Sequence, residues 1–209
     1  GIVIPRLFIV SLGSEVNGLV SSVSQIFVYF GLLEAGVGLA TTQALYKPIA
    51  QGNKNDINAI LVATDRYYKK TGTIYLIGVV VLSVIYPVVI TSQIDKVTIF
   101  IVIIFQGLGG VLSYFFQGKY RLLLQAEGKG YILTNLSTVI QIFISVGKII
   151  LLVNGFDVIA IQGMYFFFNI IQMLYITLYI SKKYRWIDVR VTPNNNAISQ
   201  KKFVLIHQI

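Results

Sequence analysis

The stretch Ile132-Leu-Thr-Asn-Leu-Ser-Thr-Val-Ile-Gln-Ile-Phe-Ile-Ser-Val-Gly-Lys-Ile-Ile-Leu-Leu-Val153 decides what kind of fold this chain can adopt. A bilayer core of about 30 Å is crossed by about 20 mostly apolar helical residues. This run is that long, and Lys148 is its only charge. Its polar residues are not scattered. Thr134, Thr138, Gln141, Ser145 and Lys148 follow one another at intervals of 4, 3, 4 and 3. At about 100° per residue they fall within an arc of about 80°. Hydrocarbon tails cannot hydrogen-bond, so such a stripe belongs against protein or water while the remaining circumference suits lipid.

The pattern recurs along the chain. Residues 72–90, 97–116 and 158–180 are apolar over similar lengths. Residues 16–45 form a longer run, richer in small and polar side chains. Residues 1–12 read as the tail of a span cut off upstream, and 203–209 as the start of a seventh. The expectation is an all-α polytopic membrane protein with about six transmembrane helices, the first truncated. A transmembrane lobe covers 1–181 and a basic cytoplasmic linker covers 182–202. Composition agrees: 56% of the 209 residues are hydrophobic and 12% charged, about half the charge of a soluble domain, for which roughly 25% is usual. Thirteen Phe and thirteen Tyr exclude a disordered, solvating chain. With no Cys and one His, His207, disulfides, thiolate chemistry and His-rich metal centres are excluded.

The net charge of +9 is explained by where the cations sit. Lys47, Lys54, Arg66, Lys69 and Lys70 follow the second span; Lys119, Arg121 and Lys129 follow the fourth; Lys182, Lys183, Arg185, Arg190, Lys201 and Lys202 follow the sixth. The alternate connections hold only Lys96. This alternation makes the basic loops cytoplasmic, and no nucleic-acid partner is needed to account for the charge. Tyr46, Tyr67, Tyr68, Tyr120, Tyr131, Tyr184 and Trp186 gather near the same boundary, as an interfacial aromatic belt does. Residues 56–70 read as an amphipathic helix resting on the inner surface. Ile57, Ile60, Leu61, Thr64, Tyr67 and Tyr68 form its apolar face, and Asn58, Asp65, Arg66 and Lys69 lie away from it.

Further stripes run along other spans. The sixth carries Gln162, Tyr165, Asn169, Gln172 and Tyr179; the fourth carries Gln106, Gly110, Ser113 and Gln117; the second carries Asn17, Ser21, Ser24, Gly31, Ala35, Gly38 and Thr42. Small residues such as Gly31, Gly36, Ala40 and Ala44 are read as close helix–helix contacts. So many amides point instead to a shared hydrated cavity. Three ionisable residues, Arg6, Glu34 and Lys148, lie within spans, where a charge costs from ~2.5 to more than 10 kcal/mol and marks function by default. Each has a bland alternative. Arg6 and Lys148 are placed to snorkel toward headgroups, and Glu34 to pair with a cation or act as a protonated hydrogen-bond donor.

Three motifs resemble a known family. Leu12-Gly-Ser-Glu-Val-Asn-Gly-Leu19, Leu32-Leu-Glu-Ala-Gly-Val-Gly-Leu-Ala40 and Ala44-Leu-Tyr-Lys-Pro-Ile-Ala50 look like the first loop and second span of bacterial polysaccharide (Wzx-type) flippases. These belong to the MATE-related multidrug/oligosaccharidyl-lipid/polysaccharide exporter superfamily. Gln200-Lys-Lys-Phe-Val-Leu-Ile-His-Gln208 resembles the beginning of their seventh span. The resemblance implies two helical lobes around a central cavity, with this chain as most of the N-terminal lobe. It also implies alternating access that moves a polyprenyl-diphosphate oligosaccharide from the inner to the outer leaflet of the bacterial plasma membrane. Related flippases use cationic first-span residues for the diphosphate, and Arg6 stands in a comparable place. The expected roles are then diphosphate binding by Arg6 and Lys148 and sugar contacts by Gln141, Gln162, Asn169 and Gln172. Glu34 exchanges a proton or Na⁺. The expected partners are the lipid-linked oligosaccharide, membrane lipids and the C-terminal lobe of the same chain; no cofactor or metal is implied.

Other readings remain open at the level of sequence. A MATE-like cation or drug antiporter shares the fold but calls for more cavity acids than Glu34. A membrane glycosyltransferase needs clustered acids at a membrane face, whereas Glu15, Asp56, Asp65, Asp95, Glu127, Asp157 and Asp188 are scattered singly. No phosphate-binding Gly loop or catalytic triad is present, so an enzyme is not expected. A structural anchor predicts polar stripes that face lipid, or none.

Overall fold

Long apolar helices dominate the architecture because in a hydrocarbon medium a backbone must satisfy its own hydrogen bonds. The computed structural model describes residues 3–34 and 37–194. The last part of the expected linker, His207 and the expected seventh span lie outside the described residues, as do Ala35 and Gly36. In chain order the helices are α1 (Val3–Gly31), α2 (Val37–Ala50), α3 (Lys54–Val89), α4 (Lys96–Leu112), α5 (Gly118–Ala126), α6 (Gly130–Val153) and α7 (Val158–Lys183). A 3₁₀ turn, Leu32–Glu34, follows α1, and a π turn, Ser113–Gln117, joins α4 to α5. No strand occurs among the described residues. Five helical stretches are long and apolar enough to cross a membrane: Ile4–Gly31, Lys54–Val89, Lys96–Ala126, Gly130–Val153 and Val158–Lys183. These are features of a membrane-embedded helical protein.

Several expected boundaries are corrected. The expected break between the spans over 1–12 and 16–45 falls at a kink in α1, where Gly13 leaves helical geometry at φ 88° and ψ 161° and parts two helical stretches. Glycine tolerates this because no Cβ obstructs positive φ. The longer run then stops at Gly31, and α2 is a separate helix. The amphipathic segment at 56–70 and the span at 72–90 are one 36-residue helix, α3. At 1.5 Å per residue it is about 54 Å long, well beyond the hydrocarbon thickness.

The chain divides into two compact units, each assembled from three stretches. The first comprises Gly1–Phe30, Thr73–Leu112 and Ser137–Gln172. Its core is Phe8, Leu19, Val23, Ile99, Val102, Ile103, Leu152, Val158 and Ile161. Gly107 lets α4 approach α3 and α1: a Cβ there would stand 2.6 Å from Val79 Cγ1 and 2.9 Å from Phe27 Cζ. On α3, Ile74, Ile77, Val81, Val84, Ile85 and Val88 are exposed, an unbroken apolar flank that fits lipid and would be a liability in water.

The second unit comprises Gly31–Gly72, Ser113–Leu136 and Met173–Ile209. Here Ala44, Leu45, Ile57, Ile60, Leu61, Leu123, Leu124, Leu133, Ile176 and Ile180 pack together. The apolar face expected to rest on the membrane surface is thus buried in protein, because apolar side chains of α2, α5 and α7 cover it. Asn58, expected on the polar side, is buried too; its Nδ2 donates to the Trp186 carbonyl at 3.3 Å. The segment after α7 stays against α3, with Asn194 N–H donating to the Ala59 carbonyl at 3.1 Å.

A polar clamp closes the same unit. Lys129 Nζ and Tyr184 Oη both donate to Glu127 Oε2 at 2.5 Å, and Lys129 Nζ lies 3.2 Å from Tyr184 Oη. Hydrogen bonding to Glu127 raises the Lys129 ammonium above its usual range. Burial, helped by Glu127, pushes the Tyr184 phenol up from 10.0 to about 12. Both groups hold their protons more tightly in the folded state. Their contribution is therefore complete below the ordinary phenol value and fades as pH rises from 10.0 through about 12. Glu127→Gln is expected to lower stability at neutral pH by ~1–3 kcal/mol, the usual cost of leaving buried donors poorly matched. The gap between variant and wild type should narrow across that alkaline window. Thermal unfolding in detergent at several pH values measures both effects.

Candidate functional site

The residues expected to act on a substrate fall into different surroundings. Arg6 on α1 is exposed. Lys148 on α6 is partly buried and has no ion pair or hydrogen bond among the described residues. Gln141 is exposed, Asn169 and Gln172 are partly buried, and Gln162 is buried. Asn169 Nδ2 donates to the Tyr165 carbonyl one turn earlier at 2.8 Å. Gln172 Nε2 donates across to Ser137 Oγ at 3.3 Å, which ties the α7 stripe to α6. All of these belong to the first unit; Glu34 belongs to the second.

Around α6 the first-unit residues sort into sectors. Ile140 and Ile144 are buried, Thr138 and Gln141 are exposed, and Ser145 and Lys148 are partly buried. Val139, Ile142, Phe143, Val146 and Ile150 are exposed. At about 100° per residue the polar sector lies between the buried edge and the apolar sector. The polar stripe is thus separate from the flank suited to lipid.

Glu34 has the most developed surroundings. It closes the 3₁₀ turn after α1 and accepts a short hydrogen bond from the Tyr68 hydroxyl of α3. Tyr68 is 2% exposed and packs against Tyr114, with ring centroids 6.0 Å apart. Gly118 makes room for it: a Cβ there would sit 2.2 Å from Tyr68 Cδ1. Glu34 and Tyr68 line a cavity of about 140 Å³ together with Ser113, Gly118, Arg121, Leu122 and Gln125. Arg121 Nη1 donates to Ser113 Oγ at 3.3 Å, and no ion pair joins Arg121 to Glu34 among the described residues.

Sequence reasoning missed Arg121, which it counted with the cytoplasmic loop cations. A signal was available: Ser113, Gln117 and Arg121 continue the fourth-span stripe at steps of four. The π turn over Ser113–Gln117 is the kind of one-turn widening that often accompanies functional positions. Among the described residues no three His, Asp or Glu side chains converge as metal ligands. No family model matches the chain, and neither the curated proteins nor the solved structures contain a significant match to it.

Proposed function

We propose that this chain forms transmembrane helices of a bacterial plasma-membrane transporter. Its cargo is a polyprenyl-diphosphate oligosaccharide, carried from the inner to the outer leaflet by alternating access for cell-surface polysaccharide synthesis. The basic connections are cytoplasmic in this reading. The observation that carries it is the division of α6 into an apolar exposed sector and a separate polar sector ending in Lys148. A helix that only anchored the chain would gain nothing from holding Thr138, Gln141, Ser145 and Lys148 apart from its lipid-compatible side. A carrier needs that separation, because the sugar and diphosphate must avoid hydrocarbon while the polyprenyl tail stays in it.

Arg6 and Lys148 pair with the diphosphate in this mechanism, since a cation poor in water forms strong charge-assisted bonds to phosphate oxygens. Gln141, Asn169 and Gln172 exchange hydrogen bonds with sugar hydroxyls, and the buried Gln162 supports them from within the first unit. Glu34 binds and releases a proton or Na⁺ to reset the carrier. A negative cell interior assists outward movement of the anion by ~2.3 kcal/mol per charge per 100 mV.

The absence of native Cys makes the wetted sector directly testable. In intact membranes, Gln141→Cys is expected to react with a membrane-impermeant thiol reagent at least about tenfold faster than Phe143→Cys, because lipid excludes both water and reagent. Equal rates, or an unreactive Gln141→Cys in a protein that reacts fully once solubilised, overturn the reading.

A further inference from the structure

We propose that the cavity beside Glu34 is a proton-linked site for a tetrahedral oxyanion of the phosphate class, with Arg121, Ser113 and Gln125 as donors and Glu34 as proton acceptor. The donor set comes first. Arg121 presents a planar fork of N–H groups, of which the structure engages one, through Nη1 to Ser113 at 3.3 Å. A guanidinium lining a cavity with no carboxylate paired to it among the described residues is an anion receptor whose natural complement has paired oxygens. Gln125 lines the same cavity and carries two further donors. At about 140 Å³ the space admits a phosphate group.

Glu34 faces that space as well, and an ionised carboxylate there opposes a second anion. A proton on Glu34 removes the opposition and adds a donor. Anion and proton therefore bind cooperatively, and each raises affinity for the other by the same factor. The ionisable groups around Glu34 and its bonded Tyr68 are Tyr114 of the π turn and Arg121 of α5, with Tyr67 of α3 beside Tyr114; Gly38 of α2 also approaches Glu34. Glu34 is the group whose change of charge the proposal invokes. The physiological role of the linkage rests on the transport reading, whereas the binding itself is measured without transport.

The test is equilibrium binding of sulfate to the purified chain in detergent between about pH 5.5 and 7.5, where sulfate keeps its charge and any slope belongs to the protein. Affinity is expected to rise as pH falls, approaching tenfold per unit where one proton is taken up. Arg121→Gln is expected to remove binding, and Arg121→Lys to weaken it about tenfold or more because the fork is lost. Glu34→Gln, neutral at every pH and still a donor, is expected to bind sulfate with no pH dependence; a purely structural Glu34 would leave the slope intact. A parallel arm compares inorganic phosphate with nanodiscs containing phosphatidic acid, and stronger binding in one arm identifies a free anion or a lipid headgroup as the source. Sulfate binding unchanged in a folded Arg121→Lys protein, no binding by wild type, or a pH slope that survives Glu34→Gln overturns the proposal. Absence of lipid-linked oligosaccharide export by the wild-type protein with this binding intact counts against the transport reading alone.

Discussion

Neutralising Arg6 and Lys148 together, as Arg6→Gln with Lys148→Met in the full-length protein, is expected to reduce export of lipid-linked oligosaccharide at least about 100-fold. A hydrogen bond to a charged group contributes ~1.5–3 kcal/mol, so loss of two such contacts reaches that factor. Lys148 sits on a stripe that the apolar sector of α6 excludes, and it has no anionic partner among the described residues. An ionised group kept in an apolar span without a partner is costly, which is the reason to assign its partner to the cargo. Lys148→Met keeps the length and apolar stem of the side chain, so the helix should insert and fold. Export measured in cells that contain the variant at wild-type abundance decides the matter. Undiminished export retires the diphosphate role of both residues, while a defect confined to one single variant restricts the role to that residue.

The second large effect concerns Gly118. An added methyl would lie 2.2 Å and 2.3 Å from Tyr68 Cδ1 and Cε1 and 3.0 Å from Cγ, so it meets the body of a ring. Tyr68 cannot swing aside cheaply, being buried, packed on Tyr114 and bonded to Glu34. Gly118→Ala is therefore expected to destabilise the chain by ~1–3 kcal/mol and to release the Tyr68 hydroxyl from Glu34. Gly18→Ala is the contrast, because nothing lies within 4 Å of its added Cβ. That change should be neutral or stabilise by up to ~1 kcal/mol through helix propensity. Thermal unfolding of both variants in the same detergent compares them. A Gly118→Ala protein as stable as wild type shows that the ring has another place to go. Combined with Tyr68→Leu, Gly118→Ala should cost much less than alone, since the two positions share one contact.

Much of the helical layout was legible because the hydropathy of a span is a property of its own residues. The apolar runs at 132–153 and 158–180 lie within α6 (Gly130–Val153) and α7 (Val158–Lys183). The stripe of α6 was legible for the same reason, since helical periodicity converts spacing directly into angle. The break between Gly31 and Val37 was harder to find. Apolarity continues through Leu32 and Leu33, and the Leu32–Glu34 turn that follows carries a bond from Tyr68, a residue 34 positions away.

Segment 56–70 illustrates the limit from the other side. Its amphipathic pattern demands that Ile57, Ile60 and Leu61 be covered, but lipid and protein satisfy that demand equally well in sequence. Packing chose protein, and with it carried Tyr68 into the core. Arg121 likewise reads as one more loop cation until the helix continues through Gly118–Ala126 and places it on a cavity wall with Ser113. Sequence alone determined that the chain is helical, which stretches are apolar and which side of α6 carries the polar stripe, because these depend on neighbours within a few turns. Tertiary structure decided which charged groups share a cavity, because proximity between residues far apart in the chain is a consequence of packing and leaves no periodic trace.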